Sequence, residues 1–325
     1  MGPLRHLLRW FTSLALLCAT ATASAQAYPN KPIRVIIPYT AGGAADAVAR
    51  PIFERMSDIL GQPILLINRP GANGELGTQS VAEAAPDGYT LLFATTGPNV
   101  NALAMGRSVK YTAASFQPIT MFVDSPSVLL VRSSLPVKNV QELIAYAKAN
   151  PGKLNYGTLG PGSNPQLALM ILNRSAGIDI KDIPYPGVAG AIVDVLAERL
   201  DLISSVMGAV SQHVQAGKLR PLGLVTGRRS PALPDLAPLS EVVPGYTGLN
   251  SWLGLMAPAG TPRDVVDRLY KASVEALRTP SVAEQMGKLA MTVTLPTPEQ
   301  FDKDIKADIA TWTELFRQAG VSEKR

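Results

Sequence analysis

The segment Pro38-Tyr39-Thr40-Ala41-Gly42-Gly43-Ala44-Ala45-Asp46 is suited to capturing an anion rather than to breaking a bond. The β-branched run Ile33–Ile37 enters it, and Val48, Ile52, Met56 and Ile59 recur on one face of the helix that leaves it. Two adjacent glycines permit backbone angles closed to other residues and let a ligand approach the main chain. The unsatisfied N–H groups of the helix start then offer a site for a carboxylate. An ordinary tight strand-to-helix turn has the same composition, and both readings stand at this point. A second such unit follows: a short strand over 153–158, the turn Gly160-Pro161-Gly162-Ser163-Asn164-Pro165, and a helix over 166–176. In open α/β sheets, ligands sit beyond the carboxyl ends of the strands, where such loops emerge. If the two loops belong to different lobes, both helix starts face one cleft, and a carboxylate receives N–H groups from each side. Hydrogen bonds with one ionised partner contribute about 1.5–3 kcal/mol each, so a few account for roughly micromolar binding after association costs.

Catalytic chemistry finds no footing. Cys18 is the single cysteine, and beyond the first 25 residues the single histidine is His213, in a polar helical stretch. No serine sits in a G-x-S-x-G elbow, and no His, Cys or carboxylate spacing resembles a metal-ligand set. Ser163 and His213 would form a nucleophile–base pair only by accident of folding, and a solvated helical histidine is the reading adopted. A periplasmic enzyme is therefore the remote alternative: the chain reads as a binding protein with no catalytic residues, no metal and no cofactor.

The N-terminus sets the compartment. Arg5 and Arg9 precede an apolar stretch over 11–19, and Ala23-Ser24-Ala25 closes the segment. This is the pattern of a secretory signal peptide over residues 1–25. Leu16 and Leu17 stand before Cys18 where a lipoprotein would carry small residues. Cleavage after Ala25 leaves 300 residues without cysteine and, by removing two arginines, lowers the net charge from +5 to +3. No later stretch approaches the roughly 20 apolar residues that cross a bilayer. The expected localisation is the periplasm. The positive charge is scattered, whereas nucleic-acid binding needs a concentrated basic face, so no nucleic-acid partner is expected.

The elements around the two loops alternate. Pro63-Ile64-Leu65-Leu66-Ile67-Asn68 reads as a strand, followed by Arg69-Pro70-Gly71-Ala72-Asn73-Gly74, read as a hairpin-like surface turn without the G-x-G-x-x-G spacing of a nucleotide loop. Pro86-Asp87-Gly88 leads into a buried strand, and 128–131 is another. Asn139 with Glu142 forms a capping box for a helix that Asn150-Pro151-Gly152 stops. Two further cycles run to about residue 225. Thr261-Pro262 reads as an N-cap and N1 proline before helices over 263–278 and 297–318. Alternating strands and helices imply α/β layers with largely parallel sheets.

In this order and spacing the motifs resemble those of the Bug-type periplasmic solute receptors of tripartite tricarboxylate transporters. The resemblance extends from Tyr28-Pro29-Asn30-Lys31-Pro32-Ile33 to the last helix. It includes the two loops, Arg69 to Gly74, Pro86-Asp87-Gly88-Tyr89, Pro184-Tyr185-Pro186-Gly187, Ala216-Gly217-Lys218-Leu219-Arg220 and the run from Trp252 to Pro262. It implies an α/β, two-lobed Venus-flytrap fold of type II-like periplasmic-binding-protein architecture with two crossover connections. Lobe 1 would comprise 28–125 plus 250–325, and lobe 2 would comprise 126–249. It also implies an organic-acid ligand, delivery to the membrane subunits of a tripartite transporter, and a monomer; a receptor signalling to a membrane sensor kinase is the alternative. Carried onto this chain, the ligand-binding positions are Tyr39, Ala41, Gly43, Ala44 and Asp46 in the first loop, and Gly160, Gly162 and Ser163 in the second. Asn99, Pro186, Gly187, Ser205 and Trp252 are candidates for the cleft wall.

Several of these have structural roles open to them as well. Asp46 can serve the helix dipole, Ser163 can cap its helix, Asn99 can cap, and Tyr39 and Trp252 can pack within a lobe. Three departures from the family pattern bear on the ligand. Ala45 replaces the usual threonine before the aspartate, the second loop continues into Asn164-Pro165-Gln166 without a histidine, and Ser205 stands where many relatives carry an aspartate. Without an acid at 205 to pair with an ammonium group, the expected ligand is a carboxylate lacking an α-amino group.

Overall fold

The computed structural model describes residues 28–319, so the signal-peptide reading of 1–25 lies outside the described residues. Two sheets organise the chain. The first has the order β11-β4-β10-β3-β1-β2, built from Ile33–Ile37 (β1), Ile64–Asn68 (β2), Thr90–Thr95 (β3), Phe116–Asp124 (β4), Trp252–Pro258 (β10) and Thr292–Val293 (β11). The second has the order β7-β6-β8-β5-β9, from Ser127–Arg132 (β5), Asn155–Thr158 (β6), Lys181–Pro184 (β7), Leu202–Val206 (β8) and Leu219–Leu224 (β9). In each sheet the strands that feed helices run parallel: β2, β1 and β3 in one, β7, β6 and β8 in the other. One strand at each crossover runs against them: β10 lies antiparallel between β3 and β4, and β5 lies antiparallel between β8 and β9, so β4 and β9 run with the parallel set while the edge strand β11 runs against β4. The sheets are thus mixed, where the alternation of elements suggested mostly parallel ones.

The chain passes from one sheet to the other between Asp124 and Ser127, and returns between Leu224 and Trp252. The two crossovers lie side by side. Ser125 N–H donates to the Ser251 carbonyl at 2.7 Å, Leu249 N–H donates to the Val225 carbonyl at 3.1 Å, and a Cβ on Gly248 would lie 2.0 Å from the Gly227 nitrogen.

Helix α1 (Ala44–Leu60) buries Val48, Ile52 and Met56 against Ile33, Val35 and Ile37, with Val266 and Leu269 of a later helix, Arg263–Arg278, in the same cluster. That helix spans the residues its periodicity indicated, but its cap lies one residue later than expected. Pro262 is its cap residue, and the Thr261 hydroxyl donates back to the Pro258 carbonyl at 2.8 Å, so Thr261 is not the N-cap. Asn139 is the N-cap, with Glu142 N–H donating to Asn139 Oδ1 at 2.9 Å, but the reciprocal bond of a capping box is shifted by one residue: the Glu142 carboxylate accepts from Lys138 N–H at 2.7 Å. The segment 69–74 is not a hairpin turn. It is a third strand–glycine turn–helix junction, with a 3-10 turn at Ala72–Gly74 feeding the helix Glu75–Ala82. Its backbone explains the glycines: φ is +131° at Gly71 and +90° at Gly74.

Candidate functional site

The first loop is held by one carboxylate. Asp46, in the first turn of α1, is 2% exposed and accepts three hydrogen bonds: from Gly42 N–H at 3.1 Å, Arg50 Nε at 2.7 Å and Asn68 Nδ2 at 3.3 Å. Asn68, at the end of β2, also donates to the Tyr39 carbonyl at 3.0 Å. Burial opposes the charge on Asp46, but the bonds from Arg50, Gly42 and Asn68 outweigh it and hold the carboxyl below its ordinary value. The glycine turn (φ +78° at Gly42) is therefore clamped between two strands by an ionised side chain. Ala47 N–H makes the first bond of the helix, to Gly43 O, so the helix start leaves the N–H groups of 44–46 without intrahelical acceptors. Ala41 and Gly42 are exposed beside them. Tyr39 is half-buried, and its hydroxyl lies 3.0 Å from Thr95 Oγ1 at the end of β3. Burial raises its pKa, the Thr95 bond opposes this, and the charge of Glu75 adds to the rise, so the phenol is neutral.

The second loop satisfies its own donors. Gly160 N–H donates to Thr158 Oγ1, Gly162 N–H to Gln166 Oε1 at 2.9 Å, and Leu159 N–H to Ser163 Oγ, which in turn donates to the Gly160 carbonyl at 2.7 Å. Gly160 and Gly162 supply left-handed backbone (φ +85° and +77°), and Ser163 is a buried staple. The helix starts at Asn164, two residues earlier than its apolar pattern, because Pro165 fits the first turn. Its first bond is Leu167 N–H to Ser163 O, and Pro165 has no N–H, so Asn164 and Gln166 are the donors at this start. The two loops are unequal: the first is rich in open N–H groups, and the second is closed on itself.

The second loop meets the segment that follows β3 of the first sheet. Asn101, in the helical stretch after β3, donates from Nδ2 to the Gly162 carbonyl at 3.5 Å and to Asn164 Oδ1. A Cβ on Gly162 would stand 3.4 Å from Met105 Sδ and 3.5 Å from Arg107 Cδ. Residues 101–107 and 160–164 are therefore in contact across the two sheets. Sequence reasoning passed over Asn101 and Arg107, whose proximity to the second loop depends on how the sheets face each other.

The proposed wall residues divide. Asn99 is buried and accepts Thr95 N–H on Oδ1 at 3.2 Å, a role in shaping the end of β3. Pro186 is exposed and Gly187 half-buried at the start of the helix Val188–Leu196, beyond the carboxyl end of β7. Ser205 is buried at the end of β8. Trp252 is 2% exposed and meets Phe301 edge-on with ring centroids 5.0 Å apart, so its ring packs in the core. His213 lies in the last turn of Met207–Gln215. Among the described residues no group of three or more His, Cys, Asp or Glu side chains could hold a metal ion.

Two mixed α/β sheets joined by paired crossovers, with glycine turns at the carboxyl ends of both, define a solute receptor of the periplasmic-binding-protein fold. The chain belongs to the tripartite tricarboxylate transporter family receptors, whose family model matches residues 48–321. Its resemblance to Bug-type receptors holds: the structure of the periplasmic binding protein BugD superposes with a TM-score of 0.83 at 34% identity, covering 91% of this chain and 100% of BugD. Rhodopseudomonas palustris Rpa4515 with adipate gives a TM-score of 0.83 at 31% identity, covering 90% of this chain and 98% of that one. MatC from the same organism, with bound malate, gives 0.81 at 29%, covering 91% and 100%.

Proposed function

We propose that this protein is a periplasmic receptor that captures a small dicarboxylate, without an α-amino group, between its two lobes and delivers it to the membrane subunits of a tripartite tricarboxylate transporter. The observation that carries this reading is the clamped turn at 39–46. Its helix start presents N–H groups of 44–46 beyond the carboxyl end of β1, while the second loop meets Asn101 after β3 of the same sheet. Adipate and malate, found in two structurally similar receptors, are both dicarboxylates. Lobe 1 is 28–125 plus 250–325 and lobe 2 is 126–249, boundaries that follow the membership of the two sheets. The ligand contacts are drawn from Tyr39, Ala41, Gly43, Ala44 and the Asp46-held turn on one side. On the other they come from the loop shaped by Gly160, Gly162 and Ser163, with Pro186, Gly187 and Ser205 beyond it.

Closure is reversible in this account. Asn101 Oδ1 is buried without a donor among the described residues, a cost of about 1–3 kcal/mol that hydration of an opened cleft relieves. A thermal-shift screen of the mature protein against C4–C6 dicarboxylates, citrate, aromatic acids, glutamate and aspartate tests the reading. Ligand at 100 times its dissociation constant stabilises the native state by about 2.7 kcal/mol, a shift of several degrees. The expected response is to dicarboxylates. Selective stabilisation by glutamate or aspartate contradicts the role given to Ser205, and silence before and after refolding contradicts carboxylate capture.

A further inference from the structure

One charged pair stands beside the second loop, on the segments that follow β2 and β3. Arg107 Nε lies 2.7 Å from Glu75 Oε1, with the arginine side chain 21% exposed and the glutamate 12%. Glu75 opens the helix Glu75–Ala82, where a negative charge suits the positive end of the dipole. Its charge is felt by Tyr39 of the first loop and by Tyr111, whose hydroxyl donates to the Pro98 carbonyl at 2.9 Å. On its other side Arg107 reaches the second loop: its Cδ and one terminal nitrogen lie 3.5 and 3.9 Å from where a Gly162 Cβ would be. Gly74, next to Glu75, packs on the head of the first loop, where a Cβ would stand 3.3 Å from Pro38 Cβ, so the Glu75–Arg107 pair lies between that strand end and Gly162. Neither loop carries a basic residue of its own.

We infer that Arg107 is the specificity-determining residue for the second acid group of the ligand, with Glu75 as the counterweight that sets how strongly that group is held. This rests on the receptor reading above and deepens it. The start of α1 offers neutral dipoles and takes one carboxylate. A dianion needs a cation for its far end, and a guanidinium suits that role because its planar fork of five donors can serve two carboxylates at once. Glu75 competes for the same fork, so a ligand carboxylate shares it with Glu75 or displaces it. Glycine at 162 keeps the space beside Arg107 clear of any side chain.

The two members of the pair therefore have opposite effects, which a merely structural ion pair would not produce. Isothermal titration of adipate against hexanoate, and of succinate against butyrate, compares acids of equal length with two carboxylates or one. Wild-type protein should prefer the diacid in whichever pair binds. Arg107→Gln should lower diacid affinity by about ten-fold or more, in line with the loss of a charged hydrogen bond, and leave the monoacid within about two-fold. Glu75→Gln should raise diacid affinity. Should Arg107→Gln fail to fold, Arg107→Lys keeps the charge without the fork and should retain part of the preference. Equal weakening of both acids, an unchanged preference in Arg107→Gln, or a loss of diacid affinity in Glu75→Gln overturns the assignment while leaving the receptor reading standing. A wild-type protein that binds none of the four acids overturns both.

Discussion

Asp46→Asn removes the charge that clamps the first loop. The substitution keeps the side-chain shape but turns one carboxylate oxygen into an NH2 group. With the remaining oxygen facing Gly42 N–H and Arg50, the Gly42 bond falls from the charged to the neutral range and the Asn68 bond is lost, at least about 1 kcal/mol each. Arg50 contributes less than its 2.7 Å distance suggests, because its side chain is 58% exposed, and about 0.5 kcal/mol is the appropriate figure for such a pair. The sum is at least about 2.5 kcal/mol, or about 4 °C in melting temperature for a protein of this size. The pH dependence has a defined sign. The folded-state pKa of Asp46 is depressed, so its contribution is present above the unfolded value near 4 and is lost as pH falls through the folded value. Differential scanning calorimetry of both proteins at pH 7 and at successively lower pH should show a gap that narrows below about pH 4. A gap of the same size at pH 7 and pH 2.5, or none at pH 7, would refute the reasoning.

Three further outcomes follow from particular contacts. Gly162→Ala places a Cβ on left-handed backbone and 3.4 Å from Met105 Sδ, and should cost about 1–2 kcal/mol in urea denaturation while weakening ligand binding. Asn139→Ala removes the N-cap bond and should cost about 1 kcal/mol in the same assay with ligand affinity unchanged. Trp252→Phe shrinks a ring packed on Phe301 and should lower stability by about 1–2 kcal/mol, again with unchanged affinity, since the ring lies in the core. A large affinity loss in Trp252→Phe would return that residue to the cleft wall.

Local chemistry was legible in the sequence to the extent that it is local. The strand–turn–helix form of both loops, the helix cap at Asn139 and the apolar face of α1 depend on residues within a few positions of each other, and the structure has all three. The helix Pro280–Lys288 and the two-residue strand Thr292–Val293 were not legible, being short and set by packing against neighbours. The antiparallel placement of β5 and β10 was hidden for a related reason: a strand that runs against its neighbours looks the same in sequence as one that runs with them. At the site, glycine content marked the second loop but could not show that its N–H groups are spent on Thr158, Gln166 and Ser163. Nor could it show that Asn101 and Arg107 come to meet it, since those contacts span some 55 residues or more of sequence and exist only once the sheets face each other.

The central claim is that a ligand carboxylate lies at the start of α1, between the two loops. A crystal structure of the mature protein with adipate or malate tests it directly. The account predicts one carboxylate within hydrogen-bond distance of the N–H groups of 44–46, with residues 159–164 closed over it. Ligand density elsewhere, such as the cavity of about 350 Å³ between Arg228, Tyr246 and Trp312, would contradict it.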